Sequence, residues 1–329
     1  MNYAKEREIA IRKKRKAKII VLAIVAVLVV ALTVLSCCIP MGTWKYRVAL
    51  PKVGQRLDGE LRIHFLDVGQ GDATVIELPD GKTVLVDGGD DTDPNKTTLL
   101  RYLNALKIEV IDYLIVTHAD ADHCGGLDTV LKYKQVRNAY VPNIQSSTGV
   151  QYKEFYTALG KENCQTYTLS RMRVCKDTPY TLSLLAPYST DEEEETWDDN
   201  ARSGVAWLHY QGVGVLFMGD APKAVENALV TEAKNGLLQA FAPALSQTQI
   251  IKIAHHGSNT STTAEFLQYV HAETAIISCG KNNVYGHPAK ETLDVLEEAE
   301  ITTYRTDTQG HIVVSISDDG NYATRIIEK

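Results

Sequence analysis

The densest group of candidate metal ligands in the sequence is the string Thr117-His118-Ala119-Asp120-Ala121-Asp122-His123. It places two histidines and two aspartates within six residues, directly after the apolar run 111–117, which has the length and composition of a buried strand. Imidazole nitrogens and carboxylate oxygens suit divalent ions such as Zn or Mn. A polar turn that caps the next helix would require only one aspartate, so the complete string predicts a metal site.

Further histidines and aspartates follow other apolar runs. Because the carboxyl ends of neighbouring strands meet at one edge of a sheet, we expect these groups to converge on a single metal-bearing edge. Each alone has an ordinary structural explanation: Asp220 could cap the helix that follows it, and His287 could pack beneath a loop. The groups are Gly219-Asp220 after 213–218, His255-His256-Gly257-Ser258 after 250–254, and Tyr285-Gly286-His287-Pro288 beyond 274–278.

Alternating strands and helices must position these side chains. Runs with strand periodicity are separated by short turns, and several are followed by segments with helical spacing. This alternation predicts an α/β layered domain. The predicted strands are 61–68, 73–78, 83–86, 111–117, 139–142, 205–210, 213–218, 250–254, 274–278 and 312–316, with more within 165–186, and the predicted helices are 97–106, 127–134, 151–159, 223–234, 264–270 and 292–299.

In their order along the chain, the motifs resemble those of the metallo-β-lactamase fold hydrolases, and within them the soluble hydrolase domain of ComEC-type competence proteins. The resemblance extends over about residues 60–325, and its specificity comes from the ordered set, since each piece alone is common. It implies an α/β fold, a four-layer αββα sandwich, with the site at one edge of its two sheets. The matching segments are Phe65–Ala73, Val86–Gly89, His118–His123, Asn200 with Ser203, Gly219-Asp220, His255–Ser258 and Tyr285–Pro288.

The resemblance also implies one or two divalent ions, Zn or Mn, and it assigns roles to the site residues. His118 and Asp120 hold one cation, Asp122 and His123 hold a second, and Asp220 bridges them. Asp120 stands where the family's H-x-H-x-D-H string has its second histidine, so the first position is richer in oxygen. His255 is preferred over His256 as a ligand because it comes first after its strand. The predicted catalytic residues are Asp122, His256 and His287. Asp67 and Asp87 are predicted to hold the loops, and Asp72 either does the same or approaches the metal. Asn200 or Ser203 is the predicted polar group near the first metal position.

These roles predict a metal-dependent hydrolase, in particular a phosphodiesterase or nuclease. The metal would lower the pKa of water toward ~7 and so supply hydroxide at neutral pH. Asp122 would orient that hydroxide, His256 would face the substrate, and His287 would stabilise or protonate the leaving group. Two alternatives stay open. One is hydrolysis of an amide, ester or lactone by the same fold, and the other is a non-catalytic DNA-binding surface protein.

The N-terminal residues predict on which side of the membrane the body of the protein, residues 40–329, is located. Residues 1–18 carry eight Lys or Arg against two Glu, and the apolar run 19–39 is long enough to cross a bilayer. Because basic flanks stay on the cytoplasmic side, the body is expected outside the cell membrane. The run is either an uncleaved single-pass anchor or a cleaved secretory or lipoprotein signal with Cys37 at the lipidation position. We divide the chain into a basic cytoplasmic segment 1–18, a transmembrane or signal segment 19–39, a linker 40–59 and a hydrolase domain 60–329.

Charge restricts the substrates that the body can bind. The chain of 329 residues has a net charge of -7 and the first 18 residues carry +6, so the rest carries -13. With 44% hydrophobic and 23% charged residues, the chain is neither disordered nor fibrous. An acidic body is not a general trap for nucleic acid, so a phosphodiester or nucleic-acid substrate would depend on metal ions or on the lysines near the histidine motifs, namely Lys252, Lys281 and Lys290.

Cysteines and the acidic run 191–199 add two smaller expectations. The six cysteines form no C-x-x-C pair, which argues against a thiolate zinc site. Cys164 and Cys175 are a possible local disulfide. The acidic run is expected to be a solvated loop.

Overall fold

The computed structural model of the chain describes residues 2–38, 41–143, 149–175, 178–186 and 198–327. Most of the acidic run, residues 191–197, lies outside the described residues. The chain divides into two compact units, Met1–Val48 and Ala49–Lys329. Residues 49–59, which we predicted as part of a linker, therefore belong to the second unit.

The first unit contains one long helix, α1 (Asn2–Cys38), followed by a 3-10 turn at Met41–Tyr46. Within α1 the stretch Lys5–Val34 reaches a mean hydropathy of 2.9 and is long and apolar enough to span a membrane. Its large apolar side chains are exposed on all sides, for example Leu22 and Val27. A helix that is hydrophobic all round needs a protein core or a lipid phase around it, which agrees with the predicted segment 19–39.

The second unit contains two β-sheets. One has eight strands in the order β15-β14-β1-β2-β3-β4-β5-β6, and the other has seven in the order β13-β12-β11-β10-β9-β8-β7. The strands are β1 (Leu61–Phe65), β2 (Thr74–Glu77), β3 (Thr83–Val86), β4 (Val110–Ile115), β5 (Gln135–Val141), β6 (Gln165–Thr168), β7 (Met172–Arg173), β8 (Tyr180–Ala186), β9 (Val205–Tyr210), β10 (Val213–Phe217), β11 (Thr248–Lys252), β12 (Thr274–Ile277), β13 (Thr302–Arg305), β14 (His311–Ile316) and β15 (Tyr322–Ile327).

Helices cover the outer faces of both sheets. The described helices of this unit are α2 (Asp93–Ala105), α3 (Ala121–Cys124), α4 (Leu127–Tyr133), α5 (Val150–Leu159), α6 (Lys223–Lys234), α7 (Ala264–Val270), α8 (Lys290–Glu298) and α9 (Thr306–Gln309), with 3-10 turns at Leu245–Gln247 and Ala254–Gly257.

Two apolar layers hold these elements together. Between the sheets, alternate residues of β1 meet alternate residues of β9 and β10, and Phe65 stacks on Phe217 at 6.0 Å between ring centroids. On the outer face of the second sheet, Trp207 and Leu216 pack with residues of α6 and α7. On the outer face of the first sheet, the His64 ring of β1 meets Tyr102 of α2. The result is the αββα order of layers that we predicted.

Parallel strand pairs determine where the site forms. In the first sheet β3 and β4 are parallel neighbours, and in the second sheet β10, β11 and β12 are parallel. Their carboxyl ends deliver the loops that begin at Asp87, Thr117, Asp220, His255 and Ser278. The loops after β4, β10 and β11 carry the predicted metal ligands, and the loop after β12 carries His287.

Candidate metal centre

A buried quartet forms the centre of the site. Asp72, His123, Asp220 and His256 each offer one ligand atom, and these atoms all lie within 4.8 Å of one another. The four side chains come from four different segments: the loop before β2, helix α3, the end of β10 and the turn after β11. All four are buried. Side chains that are distant in the sequence thus converge at the sheet edge.

The Asp220 carboxylate lies between two groups of donors. Its Oδ1 is 3.2 Å from Nε2 of His123. Its Oδ2 lies 3.6 Å from Nε2 of His256, 3.7 Å from Nε2 of His255 and 3.8 Å from Nε2 of His118. Nε2 of His118 is in turn 3.6 Å from Oδ2 of Asp120. With histidine nitrogens around both of its oxygens, this carboxylate could contribute to the binding of more than one cation.

The donor atoms fit a divalent ion. Oδ1 of Asp72, Nε2 of His118 and Oδ1 of Asp220 are buried without a hydrogen-bond partner among the described residues. Buried polar atoms are normally hydrogen-bonded, and these three belong to the side chains that converge at the centre. Imidazole nitrogens and carboxylate oxygens are ligands for Zn or Mn. One ion would be held by His118, Asp120 and Asp220, with His255 in reach, and a second by Asp122, His123, Asp220 and His256.

The two adjacent histidines take different positions. Nδ1–H of His256 donates to the Ser278 carbonyl at 2.9 Å, which leaves Nε2 facing Asp122 Oδ2 at 3.2 Å. The His255 side chain is 26% exposed and lies at the rim. We preferred His255 because it comes first after its strand, but the geometry favours His256 in the buried quartet. Both residues have positive φ, 50° and 53°, so the chain turns at once and the second side chain points inward.

Hydrogen bonds at Nδ1, on the side of the imidazole ring away from the centre, orient His118 and His123. Asp87 accepts Nδ1–H of His123 at 2.9 Å, and it also accepts the amide and hydroxyl protons of Thr117, each at 2.8 Å. The Thr117 hydroxyl lies 3.0 Å from Nδ1 of His118. Carboxylates that hold a histidine in this way fix its tautomer and raise its basicity. Both histidines therefore present Nε2 to the centre.

Lys252 is part of this centre, although the sequence placed it among surface lysines that contact phosphate. Its side chain is 3% exposed, and Nζ donates to Asp72 and, at 3.4 Å, to the Gly219 carbonyl. The buried apolar run 250–254 that contains Lys252 was the available signal, because a lysine inside such a run must find a buried acidic partner. Asp72, which we predicted to hold a loop or to approach the metal, is that partner and also a member of the quartet.

Opposite charges at short distance shift the pKa values strongly. Burial pushes the pKa of Asp72 upward, but the attraction of Lys252 and His256 outweighs it and lowers the pKa to about 2. Burial pushes the pKa of His256 downward, but Asp220 and Asp72 raise it to about 10. The pKa of Asp220 is likewise held well below its usual range by His123, despite burial. The carboxylates thus strongly attract positive charge, and metal ions compete with protons for the same atoms.

The remaining predicted residues lie around the centre. Ser203 accepts the Asp220 amide proton at 3.1 Å. Asn200 lies near it in the chain, and its buried Oδ1 has no hydrogen-bond partner among the described residues. Asp67 accepts the Gly69 amide proton at 3.2 Å and so supports its loop. The His287 ring lies 5.4 Å from that of His255.

Cys164 and Cys175 are both free thiols in the structure. The possible local disulfide is therefore not formed.

Comparison with known proteins identifies the class. A model of the metallo-beta-lactamase superfamily matches residues 66–281, and the chain belongs to this superfamily. ComE operon protein 3 of Bacillus subtilis is 30% identical over 271 residues, covering 78% of this chain and 33% of that protein. Competence protein ComA of Neisseria gonorrhoeae is 28% identical, covering 82% of this chain and 34% of that protein. The chain is thus a homologue of ComEC-type competence proteins, which confirms the resemblance, and it spans about a third of their length.

Solved structures of the same fold are more distant. CmlA, a diiron beta-hydroxylase from Streptomyces venezuelae, has a TM-score of 0.49 at 14% identity, covering 80% of this chain and 55% of that chain. The metallo-beta-lactamase fold protein YhfI of Bacillus subtilis has a TM-score of 0.45 at 11% identity, covering 79% of this chain and 99% of that chain.

Proposed function

We propose that the protein is a membrane-anchored, metal-dependent phosphodiesterase that acts outside the cytoplasm. The observation that carries this proposal is the position of the Asp220 carboxylate, which has His123 at Oδ1 and His118, His255 and His256 around Oδ2. Such an arrangement suits two cations, which can stabilise both the attacking and the leaving oxygen of a phosphodiester. Homology to ComEC-type competence proteins agrees with the phosphodiesterase or nuclease activity that the sequence resemblance implies.

The chain's own residues would contribute binding and proton transfer. When bound, divalent ions would lower the pKa of a bound water molecule and stabilise the negative charge that develops on the phosphoryl group. Asp122, whose carboxylate is only partly buried, can accept a proton from the attacking water. His287 lies at the rim beside His255, where it can donate a hydrogen bond to the leaving oxygen.

The ligand set favours a phosphodiester over an amide or lactone. Asp72, Asp120, Asp122 and Asp220 all lie within the centre. The family resemblance implies a third histidine before Gly219-Asp220 in lactamase members, but the histidine nearest to that position here, His209, lies within β9 and stacks on Trp207. An oxygen-rich site prefers harder cations such as Mn. Hard cations pair well with phosphate oxygens.

Turnover by the full chain in detergent micelles tests the activity. The chain is stripped with a chelator, reloaded with Zn or Mn, and assayed with bis(4-nitrophenyl) phosphate and single-stranded DNA, with nitrocefin and a lactone for the alternative. We expect metal-dependent cleavage of the phosphodiesters, abolished in Asp122→Ala and retained in the surface variant Asp294→Asn. A metal-loaded chain that cleaves neither phosphodiester would contradict the proposal. Cleavage of nitrocefin or lactone alone would favour the amide and ester alternative.

A separate experiment tests the orientation of the chain across the membrane. We propose that residues 1–18 stay in the cytoplasm, because eight basic residues flank the apolar stretch of α1. Protease added to intact cells without an outer membrane should then digest the body, while a tag at residue 1 stays protected. Mass spectrometry of the purified chain distinguishes an intact N-terminus from cleavage before Cys37.

A further inference from the structure

The loop before α8 presents an exposed aromatic ring beside the metal centre. Tyr285 is 66% exposed and its neighbour Val284 is 91% exposed. A single exposed apolar side chain is ordinary. An exposed aromatic ring at the rim of a site is different, because a planar ligand can stack on its free face.

The backbone of this loop is fixed by one side chain. Oδ1 of Asn283 accepts the amide protons of Tyr285 at 3.2 Å and of His287 at 3.0 Å. Its Nδ2 donates to the carbonyls of Gly280 at 2.9 Å and of His287 at 2.5 Å. The Tyr285 backbone is therefore held in place, and a ligand that stacks on the ring would lose little affinity to ordering the loop.

A series of rings connects Tyr285 to the centre. The Tyr285 ring stacks on His287 with centroids 5.8 Å apart and planes 24° apart. The His287 ring lies 5.4 Å from His255 and 6.4 Å from His256. A group attached to a phosphate at the centre can therefore pass His287 and reach the exposed part of the Tyr285 ring.

The charge of the body makes stacking necessary. Residues 19–329 carry a net charge of -13, so long-range attraction does not hold a polyanion on this surface. Lys281 is an exposed cation on the same loop, and it lines a cavity of about 520 Å³ together with Gln70, Asn283 and two carboxylates, Asp67 and Asp307. An aromatic ring that accepts any base, next to one or a few cations for the backbone, is the combination that single-strand binding proteins use.

We propose that Tyr285 is a stacking platform for a nucleobase of single-stranded nucleic acid whose phosphate lies at the metal centre. This inference rests on the proposed phosphodiesterase function. It adds the class of substrate: a single strand with an unpaired base next to the phosphate, since a base inside a duplex has no free face to stack on the ring.

Binding and base stacking by the full chain in detergent test the platform. The probes are phosphorothioate single strands that carry 2-aminopurine, and the same strands with abasic positions. The matched variants are Tyr285→Ala, Tyr285→Phe and Val284→Ala. We expect Tyr285→Ala to weaken binding by about 5–100-fold and to remove the 2-aminopurine quenching, while Tyr285→Phe and Val284→Ala bind as the unchanged chain does. Abasic strands should bind the unchanged chain as weakly as normal strands bind Tyr285→Ala.

The outcomes separate the platform from the activity. If the chain cleaves bis(4-nitrophenyl) phosphate but Tyr285→Ala and abasic strands bind normally, the platform is overturned and the phosphodiesterase stands. If stacking depends on Tyr285 but no phosphodiester is cleaved, the platform stands and the activity fails. Unchanged chain that binds no single strand overturns the platform, as does tighter binding of duplex than of single strand. The abasic comparison uses unchanged chain, so it decides the question even if Tyr285→Ala folds poorly.

Discussion

At the scale of single residues, Asp87 determines how His123 presents its ligand nitrogen. Its carboxylate receives three hydrogen bonds, one from Nδ1–H of His123 and two from Thr117, which directly follows β4. Asp87 itself has φ 58°, a left-handed conformation that costs a non-glycine residue roughly 1–2 kcal/mol. A strained backbone conformation of this kind persists where surrounding contacts hold the residue in place. The contacts here are those that orient a metal ligand.

Replacing this carboxylate should therefore weaken metal binding without removing any ligand. We expect Asp87→Asn to lower metal affinity by about 10–100-fold, because an amide is a poorer acceptor for the His123 proton. Competition with a chromophoric chelator measures the affinity. Asp112→Asn is the matched control, since Asp112 is also buried in the first sheet but binds Thr83 and Arg137. Equal losses in both variants would show that the effect is structural.

Replacing Asp220 should weaken the binding of both cations, whereas replacing His118 should weaken the binding of one. We expect Asp220→Ala to lose metal at both positions and His118→Ala to lose it at one, because Asp220 lies beside His118 and His255 as well as beside His123 and His256. Turnover of phosphodiesters should fall at least about 100-fold in Asp220→Ala, since each ion supplies several kcal/mol of transition-state stabilisation.

Metal content per chain, measured by mass spectrometry of the ions, distinguishes the two variants. The exposed Asp294→Asn should keep full metal content. Equal stoichiometry in Asp220→Ala and His118→Ala would contradict the bridging position.

The sequence predicted the convergence of candidate ligands that follow apolar strands, and it left open the positions that depend on loop geometry. The string from His118 to His123 and the residue Asp220 follow apolar strands, so their position at a sheet edge was predictable. The inward position of His256 depends on two successive left-handed residues, which no local pattern reveals. The pair of Lys252 and Asp72 is 180 residues apart in the chain, so only the assembled fold brings it together.

At the scale of elements, the loop from Gly69 to Asp72 must pass very close to α3. Gly71 has φ 122°, and a Cβ there would lie 2.2 Å from the Asp122 carbonyl oxygen. The Asp72 amide donates to that same carbonyl at 3.0 Å. The absence of a side chain at Gly71 therefore lets two ligand-bearing segments make contact.

Gly71→Ala should be much more destabilising than Gly81→Ala. Both glycines have positive φ, but a Cβ at Gly81 meets nothing within 4 Å. We expect Gly81→Ala to lower the free energy of unfolding by about 1–2 kcal/mol from its backbone conformation alone. Gly71→Ala should cost about 1–3 kcal/mol more because of the clash, and it should also reduce metal content. Urea denaturation of both variants measures the difference, and equal losses would argue against the close approach.

A second buried network connects β1 with α2. Nε2–H of His64 donates to Glu77 at 2.9 Å, and the Tyr102 hydroxyl donates to Nδ1 at 2.9 Å. Burial lowers the pKa of His64 below its usual value of 6.5, although Glu77 opposes the shift. His64 is therefore neutral in the folded chain at pH 7.

His64 should make stability fall in mild acid. Between pH 6.5 and the lower folded pKa, the unfolded chain binds a proton at His64 that the folded chain does not. The stabilisation is therefore complete above pH 6.5 and is lost as pH falls, with a slope of up to about 1.4 kcal/mol per pH unit. Unfolding free energies of the unchanged chain and of His64→Gln between pH 5 and 7 isolate this slope. Parallel curves would contradict the assignment.

Elements with a strong apolar pattern were predicted well, whereas two of the four edge strands among the described residues were not. Strands β3 and β9 and helices α6 and α7 have the predicted bounds. Strands β13 and β15 were missed, and each is the edge of its sheet. Most of their residues are partly or fully exposed, so neither carries the apolar run or regular alternation that indicates a strand.

At the scale of the whole molecule, residues 49–60, which precede β1, are part of the folded second unit. Val53 is buried, and its carbonyl accepts from the Arg325 guanidinium at 2.7 Å. The Tyr210 hydroxyl donates to the Gly59 carbonyl at 2.7 Å. The segment thus contacts β15 in the first sheet and β9 in the second. Pro51 and Gly54 give this segment the composition of a linker. The contacts that anchor it are made by its backbone carbonyls, so the sequence of the segment does not reveal them.

Two truncations should therefore differ in stability. We expect residues 49–329 to be soluble without detergent and to unfold cooperatively with full metal content, since α1 supplies the exposed apolar surface. Residues 61–329 should be less stable by about 2–5 kcal/mol, because Val53 loses its burial and Arg325 and Tyr210 lose their acceptors. Urea denaturation compares the two, and Leu57→Ala in the longer form is a control, since Leu57 is exposed. Equal stability would mean that the segment only tethers the body, and a longer form that needs detergent would mean that α1 is not the sole membrane-binding surface.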